Sequence, residues 1–249
     1  MSGQNAAMSG RDNVVSDRRR VHHFVDGQRI TTPPTSTHTL APVAIDHGRN
    51  LVPIATPDEV EAYLERCSAG LARWIALGRE RRAAVLRAGA LACRRATLDL
   101  AAALADDLGQ PCADTVNLVR WTRDTRDPSP LGPASDRLGL HVVLNAGVPL
   151  GPQAFDATVQ LLLNGSIVVI HPPLHRPRAA TVRAEILSEA GMPDGVFNVI
   201  HGDHDTTAAL LASPHTTGTI RFRTAAGGST PVDGAFADEK SHAFVDNGV

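Results

Sequence analysis

Aromatic residues are scarce in this sequence: one Tyr, two Trp and six Phe make up 4% of 249 residues. Its core must therefore rest mainly on Ala, Leu and Val. Cysteine is scarce too. Cys67, Cys93 and Cys112 show no CxxC spacing and leave an odd count, which argues against a disulfide framework. They point instead to reduced thiols in a cytoplasm. No stretch approaches the ~18 uninterrupted apolar residues of a membrane span, and residues 1–20 hold no apolar signal segment. A soluble chain that is not exported is expected. Neither sign of charge dominates, with 24 basic against 26 acidic side chains and a net charge of −2. That balance gives no reason to expect nucleic acid or a membrane as partner. The one basic run, Arg18-Arg19-Arg20 with His22-His23 beyond it, reads as part of a solvated arm.

Residues 1–22 are polar and are expected to form a disordered arm ahead of an ordered domain over 23–249. From His23 to Ile30 apolar and polar residues alternate around Asp26-Gly27, which predicts a small hairpin. Residues 31–39, rich in Thr and Pro, read as a linker. Thr56-Pro57-Asp58-Glu59 combines a cap, a first-turn proline and a capping box, so a helix should begin there. Val60, Tyr63, Leu64, Cys67, Leu71, Trp74 and Ile75 follow at helical spacing. A second helical stretch runs from about Arg79 to Leu108, interrupted near Thr97 and stopped by Gly109 with Pro111 beyond.

The texture changes after residue 138. Leu140–Leu144 reads as a strand, and Pro149–Leu163 as a helix closed by Asn164-Gly165. Ile167-Val168-Val169-Ile170 is an apolar run of the kind buried in parallel sheets. Helices over Arg178–Ala190 and Asp205–Ala212 then alternate with strands over Val196–Ile200 and Thr219–Phe222. Such alternation argues for βαβ units and an α/β fold with an open parallel sheet. In that architecture ligands sit beyond the carboxyl ends of the strands. Here those ends are Asn145–Pro149, His171–Leu174, His201–His204 and Arg223–Ser229, which should line one rim.

Several segments carry a family resemblance. Ile54–Val60, Leu71-Ala72-Arg73-Trp74 and Arg79–Arg87 are similar to the N-terminal helices of aldehyde dehydrogenases. The sharpest match runs from Glu189-Ala190-Gly191-Met192-Pro193 through Asn198-Val199 to Gly202. It resembles the family's Ala-Gly-Leu-Pro turn and the Asn-Val-Val strand after it. Ser213-Pro214-His215 through Phe222 continues the likeness, which covers residues 23–249. The resemblance implies the family's Rossmann-like, cofactor-binding half, with NAD or NADP as cofactor.

The departures fall on the chemistry. The family attacks an aldehyde with a cysteine thiolate, holds the oxyanion with an Asn, and uses a glutamate to activate water. Aligned on Pro149, the oxyanion-holding Asn becomes Gly147, which has no side-chain donor. The general base aligns with Phe236, which cannot accept a proton. The chain reaches Val249 before any catalytic-cysteine segment, and Cys112 in Gly109-Gln110-Pro111-Cys112 reads as structural. The Lys and Glu that bind the adenosine ribose in the family become His171 and Leu174. The expected outcome is a truncated pseudoenzyme whose nucleotide binding is weakened or lost, with no catalytic residue of its own. The alternative is the cofactor-binding part of a split enzyme completed by another chain.

What remains for a nucleotide is Arg223 with a backbone nest at Gly227-Gly228, and His171 on the neighbouring loop. His171 is expected to add a cationic donor as pH falls towards ~6.5. His175, His201 and His204, with Asp203 and Asp205, lie on adjacent rim loops, but their spacing fits no standard zinc site, so no metal is expected. The shortened stretch between Cys112 and Leu138 omits the family's oligomerisation arm. A protein partner covering the exposed interdomain face is expected instead.

Overall fold

The structure is a computed structural model that describes residues 21–31, 37–40, 50–109, 137–145, 152–224 and 242–247. Its first element is the hairpin of β1 (His23–Val25) and β2 (Gln28–Ile30). Asp26 and Gly27 both take positive φ, 52° and 72°, as the turn of a two-residue hairpin requires. Strands β3 (Thr37–Leu40) and β4 (Asn50–Pro53) pair antiparallel in a separate two-stranded sheet. The expected linker over 31–39 is therefore corrected. Thr37-His38-Thr39-Leu40 alternates in strand fashion, but its ladder partner lies ten residues or more downstream and leaves no local trace.

Helix α1 (Pro57–Ala76) opens with the full capping box. The Glu59 N–H donates to Thr56 Oγ1 at 3.3 Å, and the Thr56 N–H donates to Glu59 Oε2 at 2.8 Å. Its inner face buries Val60, Tyr63, Leu64, Cys67 and Trp74. Trp74 also donates its indole N–H to the Leu162 carbonyl at 2.8 Å, so the buried ring leaves no polar atom unpaired. Helices α2 (Gly78–Arg95) and α3 (Thr97–Leu108) follow. They break at Ala96, where the Thr97 hydroxyl bonds back to the Arg94 carbonyl at 2.6 Å. Left-handed Gly109, at φ 60°, ends the segment as expected.

The remaining elements alternate between strand and helix as far as β8. They are β5 (Leu140–Asn145), α4 (Pro152–Asn164), β6 (Ile167–His171), α5 (Arg178–Glu189), β7 (Phe197–Val199), α6 (His204–Ala212), β8 (Thr216–Thr224) and β9 (His242–Asn247). The large sheet has the order β2-β1-β7-β6-β5-β8-β9. Its five strands from β7 to β9 run parallel, and β1 joins β7 antiparallel. All five residues of β6 are buried, which is why its sequence is apolar without alternation. Helix α1 packs across β6, β5 and β1, while α2 and α3 pack on α5. No helix among the described residues is long and apolar enough to cross a membrane.

Strand β9 was not legible in the sequence. The α/β reading and the position of every other strand of the parallel sheet agree with the structure, although β8 begins at Thr216, three residues early. Residues 1–20, Cys112 and the Pro-rich segment to Pro133 lie outside the described residues.

Candidate functional site at the carboxyl rim

In parallel strands all carboxyl ends meet one edge, and the registers show it. Leu144 stands opposite His171, Asn145 opposite Phe222, Ile170 opposite Val199 and Thr224 opposite Asn247. The chain passes from β5 to β6 and β7 on one side, then to β8 and β9 on the other. The order therefore switches between β5 and β8, where the crevice of such sheets opens.

The β6–β7 part of this rim is filled from within. His171 is buried, and its Nδ1–H donates to the Ile200 carbonyl at 2.8 Å. Its Nε2 lies 2.9 Å from Thr207 Oγ1. The Thr207 hydroxyl also reaches the Asp203 carbonyl at 2.8 Å. Both ring nitrogens thus have protein partners, and neither is free for a nucleotide. Burial lowers the His171 pKa, only partly opposed by the Ile200 bond and by Asp203. This corrects the expected protonation near pH 6.5, because charging the ring there would strand a cation in a dry site.

The two helix N-termini on this side are also taken. Asp107, from the end of α3, accepts the N–H groups of Arg178 and Ala179 at 2.9 and 2.8 Å and so caps α5. Asp203 caps α6, accepting from the N–H groups of Asp205 and Thr206 at 3.0 and 3.2 Å. An incoming phosphate would have to displace a carboxylate at either place. The residues of the β6–β7 rim therefore do not fit a ribose or phosphate.

Beneath the rim, His201 is fully buried, with its Nε2 3.0 Å from Thr181 Oγ1. His204 lies exposed at the start of α6, and His175 stands on the β6–α5 loop. The expected rim loops are brought to one edge. Among the described residues no group of three His, Cys, Asp or Glu is placed to hold a metal ion. Cys67 and Cys93 are buried free thiols, and burial pushes the Cys67 thiol up to about 12. Neither is a nucleophile at neutral pH.

Arg223 lies in β8 near its carboxyl end, across the switch from β5. Gly147, Gly227, Gly228 and Phe236 lie outside the described residues. Sequence reasoning missed Asp107, Thr181 and Thr207 as partners of the rim. Their bonds span 71, 20 and 36 residues, so no local spacing marks them.

Residues 153–238 match the model of the Aldehyde dehydrogenase family. The betaine aldehyde dehydrogenase of Rhizobium leguminosarum bv. trifolii is 29% identical over 217 residues, covering 78% of this chain and 44% of that protein. Among solved structures, lactaldehyde dehydrogenase from Escherichia coli superposes with a TM-score of 0.70 at 21% identity. That superposition covers 82% of this chain and 47% of the other. A methylmalonate-semialdehyde dehydrogenase assignment from Sinorhizobium meliloti, solved with NAD, superposes at 0.66 and 19% identity, covering 82% of this chain and 45% of the other. These likenesses show the fold. The chain spans about half the length of the relatives it matches.

Proposed function

From a chain that belongs to the aldehyde dehydrogenase family, we propose a degenerate cofactor-binding domain that binds nucleotides weakly and oxidises no aldehyde by itself. One observation carries this reading. His171, standing where the family places its ribose-binding Lys, is turned inward with both nitrogens bonded to the protein. A charge-assisted hydrogen bond contributes ~1.5–3 kcal/mol, so its loss weakens binding roughly tenfold to hundredfold. Gly147 and Phe236, in place of the oxyanion donor and the general base, support the inactive part of the reading. Loss of one oxyanion donor alone costs about 3–4 kcal/mol of transition-state stabilisation.

The nucleotide contacts that remain are Arg223, in β8 beside the β5–β8 switch, and the sequence pair Gly227-Gly228, which suit a diphosphate of NAD, NADP or ADP. His171 acts there by supporting the rim from below. The buried thiols support a cytoplasmic setting. A second reading, the cofactor-binding part of an enzyme completed by another chain, is favoured by the retained parallel sheet with its β5–β8 switch. A partner of that kind would cover the interdomain face.

Calorimetric titration with NAD, NADP and ADP at about pH 6 and about pH 8 tests the proposal. Binding should be weak, lost in Arg223→Ala, and unchanged in His171→Gln at either pH. No NADH or NADPH should form with any short aldehyde. Tight binding of one dinucleotide that survives Arg223→Ala would overturn the weak-site reading. Turnover abolished by Cys112→Ser would overturn inactivity.

A further inference from the structure

Histidines from three distant segments meet where the hairpin joins the sheet. They are His22 and His23 at β1, His171 at the end of β6 and His201 just past β7. His23 and His201 are both 0% exposed, with ring centroids 5.8 Å apart. The backbone N–H of His201 donates to His23 Nδ1 at 3.0 Å. A protonated imidazole has no acceptor, so this tie holds only while the His23 ring is neutral. The other side of the ring, Nε2, is buried with no hydrogen-bond partner among the described residues.

The surrounding groups give a proton on this ring nothing to pair with. Helix α1 contributes Tyr63, whose ring is 5.5 Å from His23, and Glu59, which acts on Tyr63. Helix α5 contributes Thr181 to His201, and Glu185 to His22 at 2.7 Å and Arg29 at 2.8 Å. Helix α6 contributes Thr207 and Asp203 beside His171. Among the described residues, no carboxylate bonds to the ring of His23 or His201. Opposing contacts are Glu185 beside His22, and the His22 backbone, which favours a proton on His201.

Elsewhere the segment is held by burial of Val21, Phe24 and Val25, by the Val21 N–H on the Leu51 carbonyl at 3.0 Å, and by His22 and Arg29 on Glu185. Strand β1 meets β7 at one register pair, Phe24 with Val199, and the Asp26 N–H donates to Asn198 Oδ1 at 3.0 Å. We propose that the β1–β2 hairpin is an acid-released latch: protonation of His23, with His201 behind it, frees residues 21–31 before the parallel sheet unfolds. Burial holds the His23 pKa down to about 3 and that of His201 well below its usual range, so the closed latch excludes protons that an open one accepts near pH 6.5. A group depressed in the closed form loses its stabilising contribution as pH falls below its open-state value. The open population then rises by up to about tenfold per pH unit for each ring uncovered.

Hydrogen exchange between about pH 7 and about pH 5, corrected for intrinsic rates, reads the opening directly. Amides of residues 21–31 should open about tenfold to hundredfold more per pH unit, while those of β5 and β6 stay protected. His23→Asn places an amide oxygen near Nδ1 as a non-titrating acceptor, so its slope should drop by about one factor of ten. Opening that ignores pH, that runs in step with β5 and β6, or that keeps its slope in His23→Asn overturns the latch. Should His23→Asn fail to fold, NMR titration of the native His23 ring decides. A ring that stays neutral while the hairpin is closed supports the latch, and ordinary titration near pH 6.5 with the hairpin closed overturns it.

Discussion

Helices α5 and α6 both begin at the carboxyl rim and both take an aspartate at their N-terminus, yet the two carboxyls are pushed in opposite directions. Asp107 reaches α5 from another helix and is buried, and burial raises its pKa to about 7 against the two N–H bonds that oppose it. Asp203 caps its own helix at the surface. There the burial penalty is small enough for its bonds from Thr206 and Asp205 to hold it below the ordinary carboxylate value. The chemistry of the two caps is the same, and desolvation decides the sign. Asp107 is thus a packing joint between the helical layer and the sheet, whereas Asp203 is a local helix start signal.

The hardest way to break the comparison is Asp107→Ala. It leaves the N–H groups of Arg178 and Ala179 without an acceptor at a half-buried helix end. The expected cost is about 2–4 kcal/mol, seen as a lower denaturant midpoint with an unchanged slope. Loss of that size would also loosen the α3–α5 contact. A change below ~1 kcal/mol would mean that water satisfies these groups and that the joint is as superficial as the α6 cap.

Dependence on pH separates the caps next. The folded pKa of Asp107, about 7, lies above its ordinary 3.8, so between those values the folded state holds the extra proton. Its contribution to stability must then fall as pH rises through that window, by at most about 1.4 kcal/mol per unit. Asp107→Asn should remove this slope, making the variant relatively better at about pH 8 than at about pH 4. Asp203 has the opposite sign: its stabilising contribution is present above the ordinary value of 3.8 and lost as pH falls through its lower folded value. Asp203→Ala should cost about 1 kcal/mol at neutral pH and progressively less in acid. Parallel pH profiles for the two variants, measured by thermal or denaturant unfolding, would abolish the distinction.

The same division marks what could be read from the sequence. Elements whose signals are local were legible: the capping box at Thr56, the stop at Gly109, the Asp26-Gly27 turn and the apolar run of β6. The alternation after Leu140 then implied the parallel sheet. Strand β3 was not legible, because its partner β4 confirms it only across an intervening segment. At the site, the rim loops were legible from topology, since parallel strands must end together. The direction of the His171 side chain was not. Its partners Ile200 and Thr207 belong to the next βα unit, and only packing shows that the ring faces them. Asp107 was hidden for the same reason, as an ordinary acidic residue near a helix end whose role lies 71 positions away.

The smallest expected effect is the most informative about where a nucleotide lies. Asp203→Asn keeps a side-chain acceptor for the Asp205 and Thr206 N–H groups, and Asn caps helices about as well as Asp, so stability should change by only a few tenths of a kcal/mol. What the substitution does remove is one negative charge from the N-terminus of α6. A phosphate bound there would gain roughly 0.3–1 kcal/mol from that removal, or up to about fivefold in affinity. A phosphate held by Arg223 of β8, on the far side of β5 in the sheet order, should not respond, because solvent screening damps charges separated by more than a Debye length of ~10 Å. Titration of ADP into Asp203→Asn should therefore match the native chain within about twofold. Tighter binding would move the nucleotide from the β5–β8 switch to the α6 terminus, and would make Asp203 a guard on that site as well as a cap.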